Sequence, residues 1–508
     1  MMSGKAKTPD PFEGLFDDAT ARALSRVGVV DVGSNSVRLV IFDGAARSPA
    51  YFYNEKVMAG LGKDMVTTGL LNPKGVERAA TALKRFAAIA EGMKARPMTV
   101  VATAAVREAG DGPDFRKRVE RETGLKLHVI NGEEEARLSA QGVLLGWPDA
   151  RGLVCDIGGN SMELAELDGG GHIGKRVTSQ LGPFRLQQIK GGEDVLRTHL
   201  KTVMEDLAGV IGTGHDRIYL VGGSWRAIAR IDMERRTYPM TVLHEYRMTP
   251  QAVKDTVKWI AESDLQALRG RVGISGSRME LVPLASLVLR QLVETFEPKE
   301  LAISSYGIRE GLLYEHMSKN LRARDPLLES ARFTEKQMAR MPGFGKKLYY
   351  FLNPLFEDVP AAQDRLIRAA CLLHDTAWRT HPDYRAEACF DNVTRANMAA
   401  LSHPERVFLG LALLHRYRNS RTSSPMAPLF AMLSDQELQM AEVLGKAMRF
   451  GAMFSIKDPS EAGLLKLLHK KQRLELQLTR TGHALFGEVA EARFQSLCKS
   501  LGMEAAIR

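Results

Sequence analysis

Two stretches of this chain carry residue types suited to holding phosphate. The first is Asp31-Val32-Gly33-Ser34-Asn35-Ser36-Val37-Arg38-Leu39, and the second is Asp156-Ile157-Gly158-Gly159-Asn160-Ser161-Met162-Glu163-Leu164. Each follows an apolar run (Val27 to Val30; Leu153 to Cys155) and leads into an alternating segment that ends in Asp-Gly (Asp43-Gly44; Asp168-Gly169). A turn of the form Asp-x-Gly-x-Asn-Ser sets backbone N–H groups and short hydroxyl or amide side chains around a small concavity, which is what a phosphate oxygen needs. Gly33 to Ser36 and Gly158 to Ser161 are therefore candidate phosphate loops, and Gly222-Gly223-Ser224, at the end of the apolar run Arg217 to Val221, offers the same chemistry. One such turn alone would equally suit a tight hairpin with no ligand. Three of them, two in matched register, favour phosphate.

Asp31 and Asp156 stand at the ends of apolar strands, where an unpaired carboxylate is unfavourable unless it meets a cation or donors. A divalent metal, Mg²⁺ keeping several waters, is the economical resident, with Glu163 as a further ligand. For Asp31 the alternative is a hydrogen bond to its own Gly-rich turn. The copies differ in one telling way: Glu163 is matched by Arg38 in the first. One copy thus leans toward metal and the other toward anion. Glu133-Glu134-Glu135 opens a helix, and the simplest reading of three carboxylates in a first turn is complementation of the helix dipole.

The elements that must position these groups follow from patterning. Strands are expected at 27–32, 37–42, 98–102 and 125–130, with a third apolar segment near 49–58 and a helix opened by Asn72-Pro73 that carries Val76, Ala79, Leu83, Phe86, Ala90 and Met93 on one face; the turn at 179–186 feeds a further helix. The second copy restarts the pattern as a hairpin over 152–167. Strands at 217–221 and 301–304 and helices from Thr249-Pro250 and over 280–296 follow. Each half opens on a β-hairpin and continues with alternating helices and strands, so two related α/β domains are expected. After about residue 322 strand signals fade, and helices are expected at 334–355, 361–375, 386–400, 404–416 and 435–450. A strand carrying Leu474, Leu476 and Leu478 and a helix over 485–501 close the chain.

At 508 residues the chain has room for about three or four domains. Lysine and arginine outnumber aspartate and glutamate by 70 to 60, a net charge of +10, which suits polyanionic partners without choosing among nucleic acid, phosphorylated small molecules and polyphosphate. Cys155, Cys371, Cys389 and Cys498 lie far apart with no C-x-x-C spacing, which reads as reduced and structural and points to the cytoplasm. The first 25 residues contain no apolar signal-peptide core and read as a loose tail. No run reaches the roughly 18 apolar residues of a membrane span.

These motifs, with Asn131-Gly132-Glu133-Glu134-Glu135-Ala136-Arg137, Gln180-Leu181-Gly182, Arg185-Leu186 and Gly307-Ile308-Arg309-Glu310-Gly311, resemble the exopolyphosphatase / guanosine pentaphosphate phosphatase family, in order from about 27 to 315. That family belongs to the superfamily of actin, sugar kinases and Hsp70. The resemblance implies an α/β fold of two ribonuclease-H-like (actin-like) domains facing a cleft, 26–138 and 139–322, followed by a mainly α-helical HD-like domain, 323–454, and a small α+β tail, 455–508. It makes Glu135 the catalytic carboxylate that activates or positions the attacking water, Asp156 and Glu163 the metal ligands, and Arg107 a phosphate-contacting arginine. It also implies a homodimer. One departure is visible at Asn160, where the family often has a third glycine; asparagine tolerates the left-handed geometry such a loop could demand.

Leu373-His374-Asp375 looks like the paired ligands of an HD-type phosphohydrolase, yet the upstream histidine is missing, since His316 falls in the linker. A degenerate HD-like scaffold used for binding is the expectation, with His381, His403 and His415 solvated or packed. Basic runs at Lys466, His469, Lys470, Lys471 and Arg473, and at Arg416, Arg418 and Arg421, are either solvated faces or the walls of a channel for a linear polyanion. The function expected is Mg²⁺-dependent removal of terminal phosphate from inorganic polyphosphate. The same chemistry on guanosine pentaphosphate is the nearest alternative, then a nucleotide-using actin-like kinase or ATPase, then a non-catalytic polyanion binder. Nucleic acid and membranes are not expected partners.

Overall fold

The computed structural model describes residues 26–44, 46–420 and 426–508. The chain divides into two compact units at Arg324/Asp325. The expected loose tail lies outside the described residues.

The first unit is built on two sheets. Strands β1 (Val27–Val32), β2 (Val37–Phe42), β3 (Tyr51–Val57), β4 (Met98–Ala102) and β5 (Leu127–Val129) form a sheet of order β3-β2-β1-β4-β5. Strands β6 (Arg151–Ile157), β7 (Met162–Asp168), β8 (Ile173–Ser179), β9 (Arg217–Val221), β10 (Arg247–Met248) and β11 (Glu300–Ile303) form the second, of order β10-β11-β9-β6-β7-β8. In each, a hairpin and a third antiparallel strand occupy one side (β1-β2-β3; β6-β7-β8), and parallel strands extend from the first hairpin strand on the other (β4, β5; β9, β11). The internal duplication read from two nine-residue stretches is therefore a duplication of whole sheets. Strands β8 and β10 are additions to the sequence reading, and the helix expected to follow the turn at 179–186 is Gly192–Ile211.

Why the hairpins form is plain from their burial. Val27, Val29 and Val30 on β1 and Leu39 to Phe42 on β2 are fully buried, so the central strands read as near-continuous apolar runs. The helix Pro73–Gly92 begins where expected: the Asn72 side chain accepts from the Gly75 N–H at 2.9 Å, and Ala79, Leu83, Phe86 and Ala90 are buried beneath the first sheet. The helix Gly132–Gly146 is buried along most of its length and packs on the helix Ile308–Glu315. Their approach is backbone to backbone: a Cβ at Gly311 would lie 1.9 Å from the Leu138 carbonyl oxygen. The domain division expected at 138/139 falls inside the first of these helices.

The second unit is mainly helical, with a small sheet of β12 (Gly463–Leu468), β13 (Arg473–Leu478) and β14 (Glu504–Ile507) in that order. The single helix expected over 334–355 is two, Pro326–Met338 and Phe344–Leu352, because Pro342-Gly343 interrupts it and Gly343 takes φ 90°. The helix expected over 386–400 stops at Arg395. The last one begins at Glu488, behind Gly487. Leu474 and Leu476 alternate inward as expected, while Glu475 is buried between them in sequence and meets Arg508 at 3.1 Å. Among the described residues no helix is long and apolar enough to cross a membrane.

Candidate functional site

The two hairpin turns and the loop after β9 face one cleft of about 200 Å³. Its lining includes Asp31, Gly33, Ser34, Asn35 and Ser36 from the first turn, Asp156, Gly158, Gly159 and Ser161 from the second, Gly222, Gly223 and Ser224 from the third, and Glu135. In both turns the first glycine closes the loop, Gly33 N–H on Ser36 and Gly158 N–H on Ser161, at 3.0 and 2.9 Å. Gly222 must be glycine, since it takes φ 118° and a Cβ there would lie 2.6 Å from the Ile157 carbonyl oxygen.

Asn160 does not line the cleft. It takes no positive φ, so the loop makes no left-handed demand at that position. Its side chain is buried beneath the turn with neither amide atom hydrogen-bonded. The Gln180 to Leu186 motif holds this turn from behind: Phe184 N–H donates to Gly159 at 2.9 Å and Gly182 N–H to Asn160 at 3.3 Å.

The β-registers decide the electrostatics. Asp31 stands opposite Arg38 on β2, whereas Asp156 stands opposite Glu163 on β7. Among the described residues no donor is hydrogen-bonded to the Asp31 carboxylate. Asp156 accepts from the Ser139 hydroxyl. Glu163 is buried and accepts from the Thr178 hydroxyl at 3.0 Å, with its Oε2 left unpartnered. Burial, then the Asp156 charge, pushes the Glu163 carboxyl up to about 8.

Glu135 is the third acid of its helix's first turn and the one that is buried, at 5% exposure. Glu134 is held by Arg137 and Glu133 is exposed, so dipole complementation accounts for those two and not for Glu135. Burial, with Glu163 and Asp156 adding to it, raises the Glu135 carboxyl well above the ordinary range. Arg107 opposes this: its guanidinium lies 3.4 Å from Glu135 and is steadied by the Ile130 carbonyl at 2.9 Å. Arg107 is thus against Glu135 and outside the cleft lining. It also meets Glu108 at 3.5 Å, which in turn pairs with Arg185 from the second sheet's side.

The same cleft is lined by Arg38, Lys56, Arg226, Arg278 and Arg309. Burial, with Arg278 and Arg38 adding to it, pulls Lys56 down to about 8. Burial and then Arg309 pull Arg226 down to about 10. Such mutual repulsion is relieved by an anion. Lys56, Arg226, Arg278 and Arg309 escaped the sequence reading as site residues. Two carried a signal: Arg226 follows Gly222-Gly223-Ser224 within one helical turn, and Arg309 sits inside the 307–311 motif. There Glu310 caps its own helix, accepting from Gly307 N–H at 2.8 Å and from the Tyr51 hydroxyl at 2.9 Å, which anchors the turn that carries Arg309. Lys56 on an edge strand and Arg278 on a short turn had no local signal.

In the second unit His403 and His415 are buried and His381 is exposed. The basic residues 469–471 are exposed at the β12–β13 tip. Arg416 and Arg418 form no solvated run: Arg416 is buried and Arg418 pairs with Glu387, while Arg421 lies outside the described residues.

Duplicated sheets whose Gly-Ser-Asn turns face one cleft of acids and cations make up the actin-like fold expected from the sequence. The sequence profile of the Ppx/GppA phosphatase family matches residues 40–320, and that of the exopolyphosphatase C-terminal region matches 356–507. The chain belongs to the Ppx/GppA phosphatase family. It is 25% identical over 454 residues to retrograde regulation protein 2 of Saccharomyces cerevisiae, covering 79% of this chain and 74% of that protein. It is 23% identical over 440 residues to the guanosine-5'-triphosphate,3'-diphosphate pyrophosphatase of Aeromonas hydrophila, covering 82% and 85%. The crystal structure of an exopolyphosphatase from Cytophaga hutchinsonii shares the fold, with TM-score 0.52 and 22% identity over 57% of this chain and 97% of that one.

Proposed function

We propose that this protein hydrolyses the terminal phosphate of inorganic polyphosphate in the cleft between its two sheets, releasing orthophosphate. The observation that carries the reading is the charge of that cleft: the buried carboxyls of Glu135 and Asp156, with Glu163 close to Glu135, and five cations lining the same space. The backbone N–H groups and hydroxyls of Gly33 to Ser36, Gly158 to Ser161 and Gly222 to Ser224 cradle phosphate oxygens, with Asn160 supporting its loop from below. Arg38, Lys56, Arg226, Arg278 and Arg309 neutralise the charge of the anhydride. Glu135, with its proton affinity raised by burial, takes a proton from the attacking water, and Arg107 orients it.

The donor set fits a hard divalent cation. Asp156 and Glu163 are cross-strand neighbours, Glu163 keeps an unpartnered oxygen, and burial raises both carboxyls, so a positive ion relieves them. Among the described residues no three His, Cys, Asp or Glu side chains gather as a complete metal site. Mg²⁺ held by Asp156 and Glu163, with Asp31 across the cleft, would therefore take its remaining ligands from water and phosphate. When bound it would supply charge neutralisation at the terminal phosphate.

Guanosine pentaphosphate is the second reading, because its terminal anhydride presents the same reacting group. Phosphate release measured on both substrates, with wild type and Glu135→Gln, tests the assignment. Preference for polyphosphate and near-complete loss in the variant are expected. Preference for the nucleotide would transfer the reading to it, and unchanged turnover in Glu135→Gln would remove the mechanism. A homodimer is part of this reading, and light scattering on the full chain checks it.

A further inference from the structure

His374 and Asp375 end the helix Ala361–Leu373, and both are buried. Asp375 is fully engaged by Arg340, whose Nε and Nη2 donate to it at 2.8 and 2.6 Å and whose backbone N–H donates at 3.3 Å. His374 Nδ1 lies 2.8 Å from the Cys371 carbonyl oxygen, so Nδ1 carries the proton and Nε2 is left as an acceptor. Burial and the Arg416 charge pull the imidazole down to about 4, so the ring is neutral near pH 7.

Arg416 follows the helix His403–His415 and is 6% exposed. Among the described residues its side chain has no carboxylate within ion-pair distance, and its Nε is buried without a hydrogen-bond partner. Its guanidinium stands 4.9 Å from the centre of the Tyr417 ring, and the Tyr417 hydroxyl donates to the His374 carbonyl at 3.2 Å, which ties the two segments together. A buried guanidinium without a counter-charge is strongly unfavourable. Asp375 acts on it only from a distance, and its carboxylate oxygens are already hydrogen-bonded to Arg340.

We propose that Arg416, with His374 Nε2, forms a second anion site for a hydrogen phosphate group, borne by free orthophosphate or by the end of a condensed phosphate. Arg416 supplies the charge that a phosphate oxygen requires, and its planar fork suits two oxygens at once. The neutral His374 accepts the proton of a P–OH, a pairing that a fully ionised oxyanion cannot make. A metal ion is disfavoured at the same place, because Arg340 already occupies Asp375 and Arg416 repels cations. The site uses none of the cleft residues and stands apart from the hydrolytic reading.

Hydrogen exchange of the full-length protein tests this, with orthophosphate, tripolyphosphate and sulfate as probes. Orthophosphate or tripolyphosphate is expected to slow exchange several-fold in peptides spanning 374–378 and 415–418. Protection by the first alone assigns free phosphate as the ligand, and by the second alone a chain end. Arg416→Met is expected to lose this protection while keeping that at 31–36 and 156–161, and to melt no lower than wild type, since it removes an unpaired buried charge. No protection by either phosphate, or protection that survives in Arg416→Met, would overturn the proposal. So would equal protection of the wild type by sulfate, an arm that decides the matter even if the variant fails to fold.

Discussion

The two hairpin turns share a backbone and differ in the residue facing their aspartate. In the first, Asp31 faces Arg38 across β1 and β2, and the charges of Arg309 and then Arg38 lower the proton affinity that burial raises. In the second, Asp156 faces Glu163, and burial with the Asp156 charge pushes the Glu163 carboxyl up to about 8. One turn carries its own counter-charge and the other requires one from outside. A duplicated fold can thus assign two halves of one job, anion and cation, by a single cross-strand exchange.

The largest expected effect belongs to the acid aimed at the second turn. Glu135→Gln should lower kcat about 10²–10⁴-fold, the range for loss of a general base, with polyphosphate binding retained. Phosphate-release kinetics beside a binding titration check this. Next, Asp156→Asn should lower turnover by about 10²-fold or more and raise the Mg²⁺ concentration needed for half activity, and Asp31→Asn should do so much less. Equal losses would end the asymmetry argument. Arg38→Met should act on the anion side, raising KM about tenfold with kcat nearly unchanged, the size of one charge-assisted hydrogen bond.

The pH dependence sharpens the second turn alone. Between its ordinary 4.5 and about 8, Glu163 holds a proton in the folded chain that the unfolded chain has released. Without divalent metal, stability should therefore fall as pH rises through that window, by an amount on the order of a few kcal/mol, and Mg²⁺ should restore it at the upper end. Thermal melts of wild type and Glu163→Gln read this out, and a slope equally steep in the variant would place the titration on another group. The smallest effect expected is at a helix start remote from both turns: Asn72→Ala should lose about 1 kcal/mol with turnover unaffected.

Much of this arrangement was legible in advance because it is local. The hairpin strands fall where valine and leucine runs end in Gly-Ser-Asn turns, and Asn72-Pro73 and Asn131-Gly132 start helices through contacts within four residues. What escaped was set by distance in sequence or by competition. The helix expected over 334–355 broke because Pro342-Gly343 outweighed the apolar periodicity on either side. Strand β8 was missed because its alternation is weak and its faces are only partly buried. Arg416 read as one of a basic run, and burial of its side chain was invisible in a charge count.

By itself the sequence determined the duplication, the phosphate-type turns and the exchange of Glu163 for Arg38, since all three reside in residue types at fixed short spacing. Only the tertiary structure decided that Glu135 and not its neighbours is buried, that Arg107 rests against it, and that Lys56 and Arg278 join Arg226 and Arg309 around one cleft. The reason is physical: proton affinity and charge repulsion depend on desolvation and on separation through space. Both are fixed when the two sheets and the helix Gly132–Gly146 pack together, which brings residues as far apart as Asp31 and Arg309 to one site.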